Sequence, residues 1–294
     1  MSLQHILNVM CMPFPKVQDQ HKPGKPLVPN GYGIFFVLGS VCYWFVLSFI
    51  GIMEDKALAL ATSVLFGSTM GLFDDMTDLR WRYKAILPVF ASLPYMVLQP
   101  SDRTTIATLL FGIVDLNALF FILLVPIIVT VTTNTVNQLG GINGLEALSG
   151  LIVLLGLSLA AGNFILTVVP IILLLGLAYI SYTGKAFIGN VGSFSIGLTL
   201  AVYAILMNVK TALLISLTPF FLNSVMILFS VYFLRERANT YIDEKGRLYS
   251  NKIRSLRTLV LHVRPLTEHQ TVLALCFIII LSTLVSLNVQ WFLS

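Results

Sequence analysis

Nine runs of apolar residues, at roughly 33–52, 57–73, 86–99, 116–132, 146–162, 163–181, 193–207, 210–233 and 270–292, alternate with short polar stretches along the chain. Several are shorter than the ~20 residues a lone membrane-crossing helix needs. In lipid, backbone groups must be satisfied within their own segment, so each run is expected to be helical. The pattern predicts an all-α, polytopic integral membrane protein of nine to ten membrane helices. It reads as one domain over 1–294, with an N-terminal segment (1–32) and a long polar loop (234–269). Within that loop IDEKGRLYS, residues 242–250, predicts a small β-hairpin turning at Glu244-Lys245-Gly246. Residues 3–13 are apolar but too short to span, and no small-residue cleavage site follows them.

Composition supports the membrane assignment. Only 11% of the residues are charged and the mean hydropathy is +0.89, whereas soluble domains carry about 25% charged residues. Cys11, Cys42 and Cys276 stand apart in apolar surroundings, which suits neither a zinc site nor a disulfide framework.

Alternating the loops between two sides groups 1–32, 74–85, 133–145, 182–192 and 234–269. Fifteen of the 18 Lys and Arg fall on that side; Lys56, Arg103 and Lys210 fall on the other. The positive-inside bias assigns the basic side to the cytoplasm. Topology therefore accounts for the net charge of +5, and no nucleic acid is needed to explain it.

Four polar clusters lie on this same side. GLFDDMTDLRWRYKAILP (71–88) places Asp74, Asp75 and Asp78 just before Arg80, Arg82 and Lys84. Charge at a membrane border is tolerated when it faces water, a partner or a metal. Carboxylates suit Mg²⁺ and the cations suit phosphate, although the acids and bases here can also neutralise one another. TTNTVNQLGGINGLEAL (132–148) places Asn134 and Asn137 three apart at a helix end; Gly140 and Gly141 break that helix, and Asn143-Gly144 predicts a turn. Asparagine amides suit a base edge, a ribose or a metal, and they serve equally as helix caps. GKAFIGNVGSFSIG (184–197) surrounds Asn190 with glycines that permit close approach of a ligand or of another helix. The loop 234–269 opens with Arg235-Glu236-Arg237, a basic patch fit for an anionic substrate or anionic lipid. His262 and His269 are isolated and read as structural.

Together the stretches KPLVPNGYG (25–33), DDMTDLRWRYKAILP, NTVNQLGGINGLEAL and FIGNVGS (187–193) resemble the polyprenyl-phosphate N-acetylhexosamine-1-phosphate transferases. The chain is most similar to their eukaryotic and archaeal branch, whose eukaryotic members start dolichol-linked N-glycans. The resemblance implies transfer of an N-acetylhexosamine-1-phosphate from a UDP-sugar, by default UDP-GlcNAc, to dolichyl or another polyprenyl phosphate in the lipid, with release of UMP. It implies Mg²⁺, with Mn²⁺ as an alternative, and a homodimer as a plausible assembly. It places the active site on the cytoplasmic face of the plasma membrane or endoplasmic reticulum. By resemblance Asp74 and Asp75 are candidates to orient or deprotonate the lipid phosphate or to hold the metal through water, and Lys84 holds the diphosphate. Asn137 and Asn190 take the metal, Asn143 reads uracil, Asn134 lies on the substrate, and Arg235 and Arg237 touch diphosphate and sugar.

Two departures stand out. The family usually has aspartate where this chain has Asn190, which removes a formal charge from the metal site. It has ten spanning helices, and residues 1–24 are too short and polar for the first. Competing readings are the bacterial transferases that act on undecaprenyl phosphate, whose His-rich loop has no counterpart here; membrane aromatic prenyltransferases, which use two Asp-rich motifs; and a transporter or inactive scaffold.

Overall fold

The structure, a computed structural model, describes residues 14–22, 24–77, 79–98, 104–108, 112–236 and 239–293. Each of the nine apolar runs lies on helix. In chain order these are α1 (Gly33–Phe49) and α2 (Glu54–Thr77), then a broken run of α3 (Trp81–Ile86), a 3-10 turn (Leu87–Ser92) and α4 (Leu93–Leu98). A π-turn at Phe120–Leu124 leads into α5 (Val125–Leu139), followed by α6 (Leu145–Ala161), α7 (Val168–Tyr182) and α8 (Gly189–Leu206). The bent pair α9 (Lys210–Ser216) and α10 (Thr218–Tyr232) precedes α11 (Leu256–Val263) and α12 (Glu268–Leu293). Pro88 and Pro219 stand at two of the breaks; proline has no amide to continue the helical ladder, and α9 meets α10 at 54°.

Among the described residues four helices are long and apolar enough to cross a membrane alone, and the bent pair α9–α10 is a broken span or a re-entrant loop. The helices Gly33–Phe49, Leu145–Ala161 and Val168–Tyr182 are apolar but shorter. Exposed Leu, Ile, Val and Phe side chains cover the outside of the bundle. This is an integral membrane protein.

Helix α8 is the centre of the bundle, packed by α2, α5, α1 and α6 and buried along nearly its whole length. Its small residues make that possible, since helices in lipid associate by close packing rather than by a hydrophobic force between them. Gly33 and Gly192 are in backbone contact: a Cβ at Gly33 would fall 2.1 Å from the Gly192 Cα. Trp44 is fully buried on α1 and donates its indole N–H to the Leu166 carbonyl at 2.7 Å, which ties α1 to the turn before α7.

The polar loops gather at one end of the bundle, as the alternating assignment required. Asn143 contacts Asp19 and Glu268, Asp75 contacts Asn190, and Arg257 donates to the Gly141 carbonyl at 2.8 Å. At the opposite end Tyr203 reaches the Asn163 carbonyl, and the buried Lys210 pairs with Asn208 over the Phe120 ring. The expected hairpin is present as β5 (Tyr241–Ile242) and β6 (Leu248–Tyr249), with Gly246 at φ +72°.

Two further hairpins had no signal in the apolar pattern: β1 (Lys16–Gln18) with β2 (Leu27–Pro29), and β3 (Thr105–Thr108) with β4 (Gly112–Asp115). The loop 234–269 also contains α11, which starts at a Ser255–Thr258 capping box. The buried Asn223 accepts from the Leu256 N–H and donates to the Gln138 carbonyl, so it holds α11 against the end of α5. Cys42 and Cys276 are free thiols; Cys11 lies outside the described residues.

The Gly33–Gly192 contact leaves no room for a methyl group. Gly33→Ala should cost about 1–3 kcal/mol by overpacking and lower the melting temperature in detergent. Gly176→Ala, where a Cβ meets nothing within 4 Å, should melt like the parent or slightly higher. Equal melting of all three proteins would contradict the α1–α8 approach described.

Candidate active site

Several of the polar clusters meet at a cavity of about 430 Å³ at the polar end. Asp75, at the C-terminal end of α2, faces the N-terminus of α8. Its two oxygens accept from the backbone N–H of Asn190 (2.9 Å) and Val191 (3.0 Å), and Asn30 Nδ2 lies 3.5 Å from the first oxygen. The opening amides of a helix have no intrahelical partner, and its N-terminus attracts negative charge. A carboxylate from another helix satisfies both needs, and in doing so it fixes Asn190 at the cavity wall.

Asn137, near the end of α5, donates through Nδ2 to Asn190 Oδ1 and to Ser193 Oγ, each at 2.9 Å. Its own Oδ1 is then the acceptor left for the cavity. Glu146 enters from the first turn of α6 and lies against the Gly140–Gly141 turn; a Cβ at Gly140 would fall 1.6 Å from its Oε1. Asp75, Asn137, Glu146 and Asn190 thus present carboxylate and amide oxygens around one space. Such a set suits a hard divalent cation and offers no soft ligand.

Next to this set, Lys84 Nζ pairs with Asp74 Oδ1 at 2.9 Å; the Lys84 side chain is about a quarter exposed, the Asp74 side chain is buried. Asp74 Oδ1 also takes the Leu79 N–H at 2.9 Å, while its buried Oδ2 has no hydrogen-bond partner. An unsatisfied buried carboxylate oxygen is costly, and a ligand or cation at this point relieves the cost.

The other predicted residues are placed as follows. Asn143 lines the cavity at the turn before α6, whereas Asn134 donates to the Ala85 carbonyl at 3.0 Å and so tethers the segment carrying Lys84. Asn134 therefore supports Lys84 from behind and is not among the cavity-lining residues. Arg235 follows α10 with φ +53°, exposed and outside the cavity lining. Arg237 and Asp78 lie outside the described residues. Glu236 is held by Lys252 and Arg254, which lower its carboxyl below the usual range by donated hydrogen bonds. His262 meets the Ser250 carbonyl, and His269 packs on Tyr182 with ring centroids 4.3 Å apart, as suits structural histidines.

The structure adds residues that were not singled out in the sequence. Asn30, whose segment is stitched to Phe187 and Ile188 by backbone hydrogen bonds, and Glu146 both lie inside motifs quoted above. Asp19, His21 and Glu268 come from the two ends of the chain, and their ligand atoms lie within 4.8 Å of one another. The Asp19 oxygens are occupied by Asn143 Nδ2 (2.8 Å), the His21 N–H (3.1 Å) and Lys22 (3.4 Å), which makes this a hydrogen-bonded network and not a cage awaiting an ion. Burial and the nearby Arg257 charge hold the His21 imidazole down at about 4, against a weaker opposing pull from Asp19, so it is neutral at pH 7.

Residues 57–208, just over half of the chain, match the model of glycosyl transferase family 4. A Sulfolobus acidocaldarius protein is 31% identical over 288 residues, covering 93% of this chain and 87% of that protein. The chain belongs to glycosyl transferase family 4. Within the family, the Sulfolobus protein carries the provisional name UDP-N-acetylglucosamine–dolichyl-phosphate N-acetylglucosaminephosphotransferase. So does a Saccharolobus solfataricus protein, 27% identical over 88% of this chain and 83% of its own length. A Dictyostelium discoideum protein of that name, without the qualifier, is 26% identical over 90% of this chain and 77% of its own. The superfamily and its archaeal and eukaryotic branch are thus those the motifs pointed to. The family 4 match runs from α2 through α8, so it includes Asp74, Asp75, Lys84, Asn137, Asn143 and Asn190.

Proposed function

We propose that this chain transfers N-acetylglucosamine-1-phosphate from UDP-N-acetylglucosamine to dolichyl phosphate or a related polyprenyl phosphate. An oxygen of the lipid phosphate attacks the phosphorus that carries the sugar. The bond from that phosphorus to the bridging oxygen breaks, UMP leaves with the bridging oxygen, and a polyprenyl diphosphate-linked sugar forms. The observation that carries the reading is the convergence of Asp75, Asn137, Asn143 and Asn190 on one cavity beside the Lys84–Asp74 pair, in a chain whose relatives are named for this reaction.

The residues meet the demands of the reaction. Nucleophile and electrophile are both anionic, so the site must offset repulsion and developing charge. Lys84, paired with Asp74, supplies a compact cation; Asp74 and the adjacent Asp75 are the carboxylates that would orient the lipid phosphate. Asn137 and Asn190, with Asp75 and Glu146 beside them, form the oxygen set that would hold Mg²⁺ or Mn²⁺. A bound divalent cation would neutralise diphosphate charge. Asn143, on the cavity wall, is assigned to the base.

The test is transfer by the purified chain from UDP-GlcNAc to dolichyl phosphate, followed as UMP release and as lipid-linked product. Lys84→Ala should reduce turnover about 10²- to 10³-fold, the usual loss for one stabilising contact in such a site, with the protein still folded. Near-parental turnover would remove Lys84 from the chemistry.

A carboxylate at position 190 would still accept from Asn137 Nδ2 and would add a charge that hard cations prefer. Asn190→Asp should therefore tighten Mg²⁺ or Mn²⁺ binding, read by direct titration of the metal. Weaker binding would mean that the oxygen set is organised around the amide.

The fifteen cations on the site side support a cytoplasmic orientation for this end of the bundle. Cysteines introduced at positions 16 and 245 should label from that side alone, and labelling from opposite sides would refute the arrangement.

A further inference from the structure

We propose that Asp19 is a positioning residue that sets which base this cavity accepts, by locking the Asn143 amide with its oxygen toward the ligand. The proposal rests on the reading above, in which a uridine nucleotide enters the cavity lined by Asn143. Asp19 and Asn143 are both almost fully buried, 1% and 2% exposed, and Asn143 Nδ2 lies 2.8 Å from Asp19 Oδ2. A carboxylate can only accept, so the nitrogen must be the atom that faces it. Glu268 closes the other side and takes the Asn143 backbone N–H at 3.2 Å. Turning the amide over would set its oxygen against carboxylate oxygen with no water to intervene, which forfeits a charge-assisted hydrogen bond and adds repulsion.

An asparagine alone is ambiguous, because its two ends differ by a flip and can suit either a donor or an acceptor. The buried carboxylate removes that freedom. Asn143 then offers the cavity a pure acceptor. On the uracil edge the only ring donor is N3–H, and cytosine has a bare acceptor nitrogen at the same position. An acceptor locked opposite that position favours uracil. Asp19 need not touch the base to do this, and the Lys22 ammonium pairs with it at 3.4 Å.

The experiment measures UMP and CMP binding to the purified chain in detergent, for the parent, Asp19→Asn, Asn143→Ala and the double variant. The parent should prefer UMP over CMP by about 10- to 100-fold, the range for one buried hydrogen bond made or left unpaired. Asp19→Asn is isosteric, but it can donate as well as accept, so the Asn143 amide becomes free to turn. The UMP-to-CMP ratio should fall at least about fivefold. In the Asn143→Ala background the same change at Asp19 should leave the ratio unmoved, because the amide it orients is gone; a merely structural role would act alike in both backgrounds. Unaltered UMP binding in Asn143→Ala would overturn the nucleotide reading itself. Weakened UMP binding there, with a parental ratio in Asp19→Asn, would overturn the positioning role alone. If Asp19→Asn does not fold, the parent still decides: CMP or 3-methyl-UMP bound as tightly as UMP would show that no locked acceptor is at work.

Discussion

The opening amides of helix α8 point into the polar end of the bundle, and the carboxylate of Asp75 on α2 receives two of them. Everything at the site is arranged around that contact. Helix α8 is the most enclosed element, so its first turn has little water to satisfy its donors. A carboxylate from a neighbouring helix answers the unmet donors and the positive end of the helix together. The same contact fixes the spacing of two motifs more than a hundred residues apart in the chain. It places Asn190 beside Asn137, and Asn30 meets the same Asp75 carboxylate. Loss of Asp75 would therefore disturb the frame of the site as well as its chemistry.

Charge is used sparingly and is almost always answered. Asp74 is paired with Lys84, Asp19 with Asn143 and Lys22, and Glu236 with Lys252 and Arg254. In a low-dielectric setting an unanswered charge costs far more than it does in water. The second oxygen of Asp74 is buried without a partner, and the neighbouring Asp75, with Glu146, lines the cavity. Carboxylate oxygens gathered at this end of the bundle suit a site for cations and, through them, for anionic substrate.

The cavity is closed by segments distant in sequence. Residues 29–33 are laced to 187–188 by backbone hydrogen bonds, so the N-terminal hairpin forms one wall. The Gly140–Asn143 turn forms another, held from outside by Arg257 through the Gly141 carbonyl and by Glu268 through the Asn143 N–H. Loops between membrane helices are normally the most variable parts of such a fold. Here they are tied to the bundle by buried amides and carboxylates, which suits a site that must hold several phosphates in register.

The sequence by itself determined the helices, their grouping by side and the family. Each of these follows from local information: an apolar run must satisfy its own backbone in lipid, and alternating the loops sorts the cations onto one side. It also singled out Asp75, Asn137, Asn143 and Asn190, because polar residues at a membrane border and glycine-broken helix ends are visible along the chain. It did not separate Asn134, whose amide is spent on the Ala85 carbonyl, from Asn137 three residues later, whose amide faces Asn190. The hairpin at 16–29 was hidden because its polar strands carry no apolar alternation. Asp19, His21 and Glu268 were hidden because a carboxylate in a polar tail and another at a helix start look solvated until the fold buries them against the same turn. Only tertiary structure decided which polar groups are dehydrated, since dehydration comes from segments hundreds of residues apart closing over one another, and it is dehydration that turns an ordinary aspartate into one that can fix the orientation of an amide.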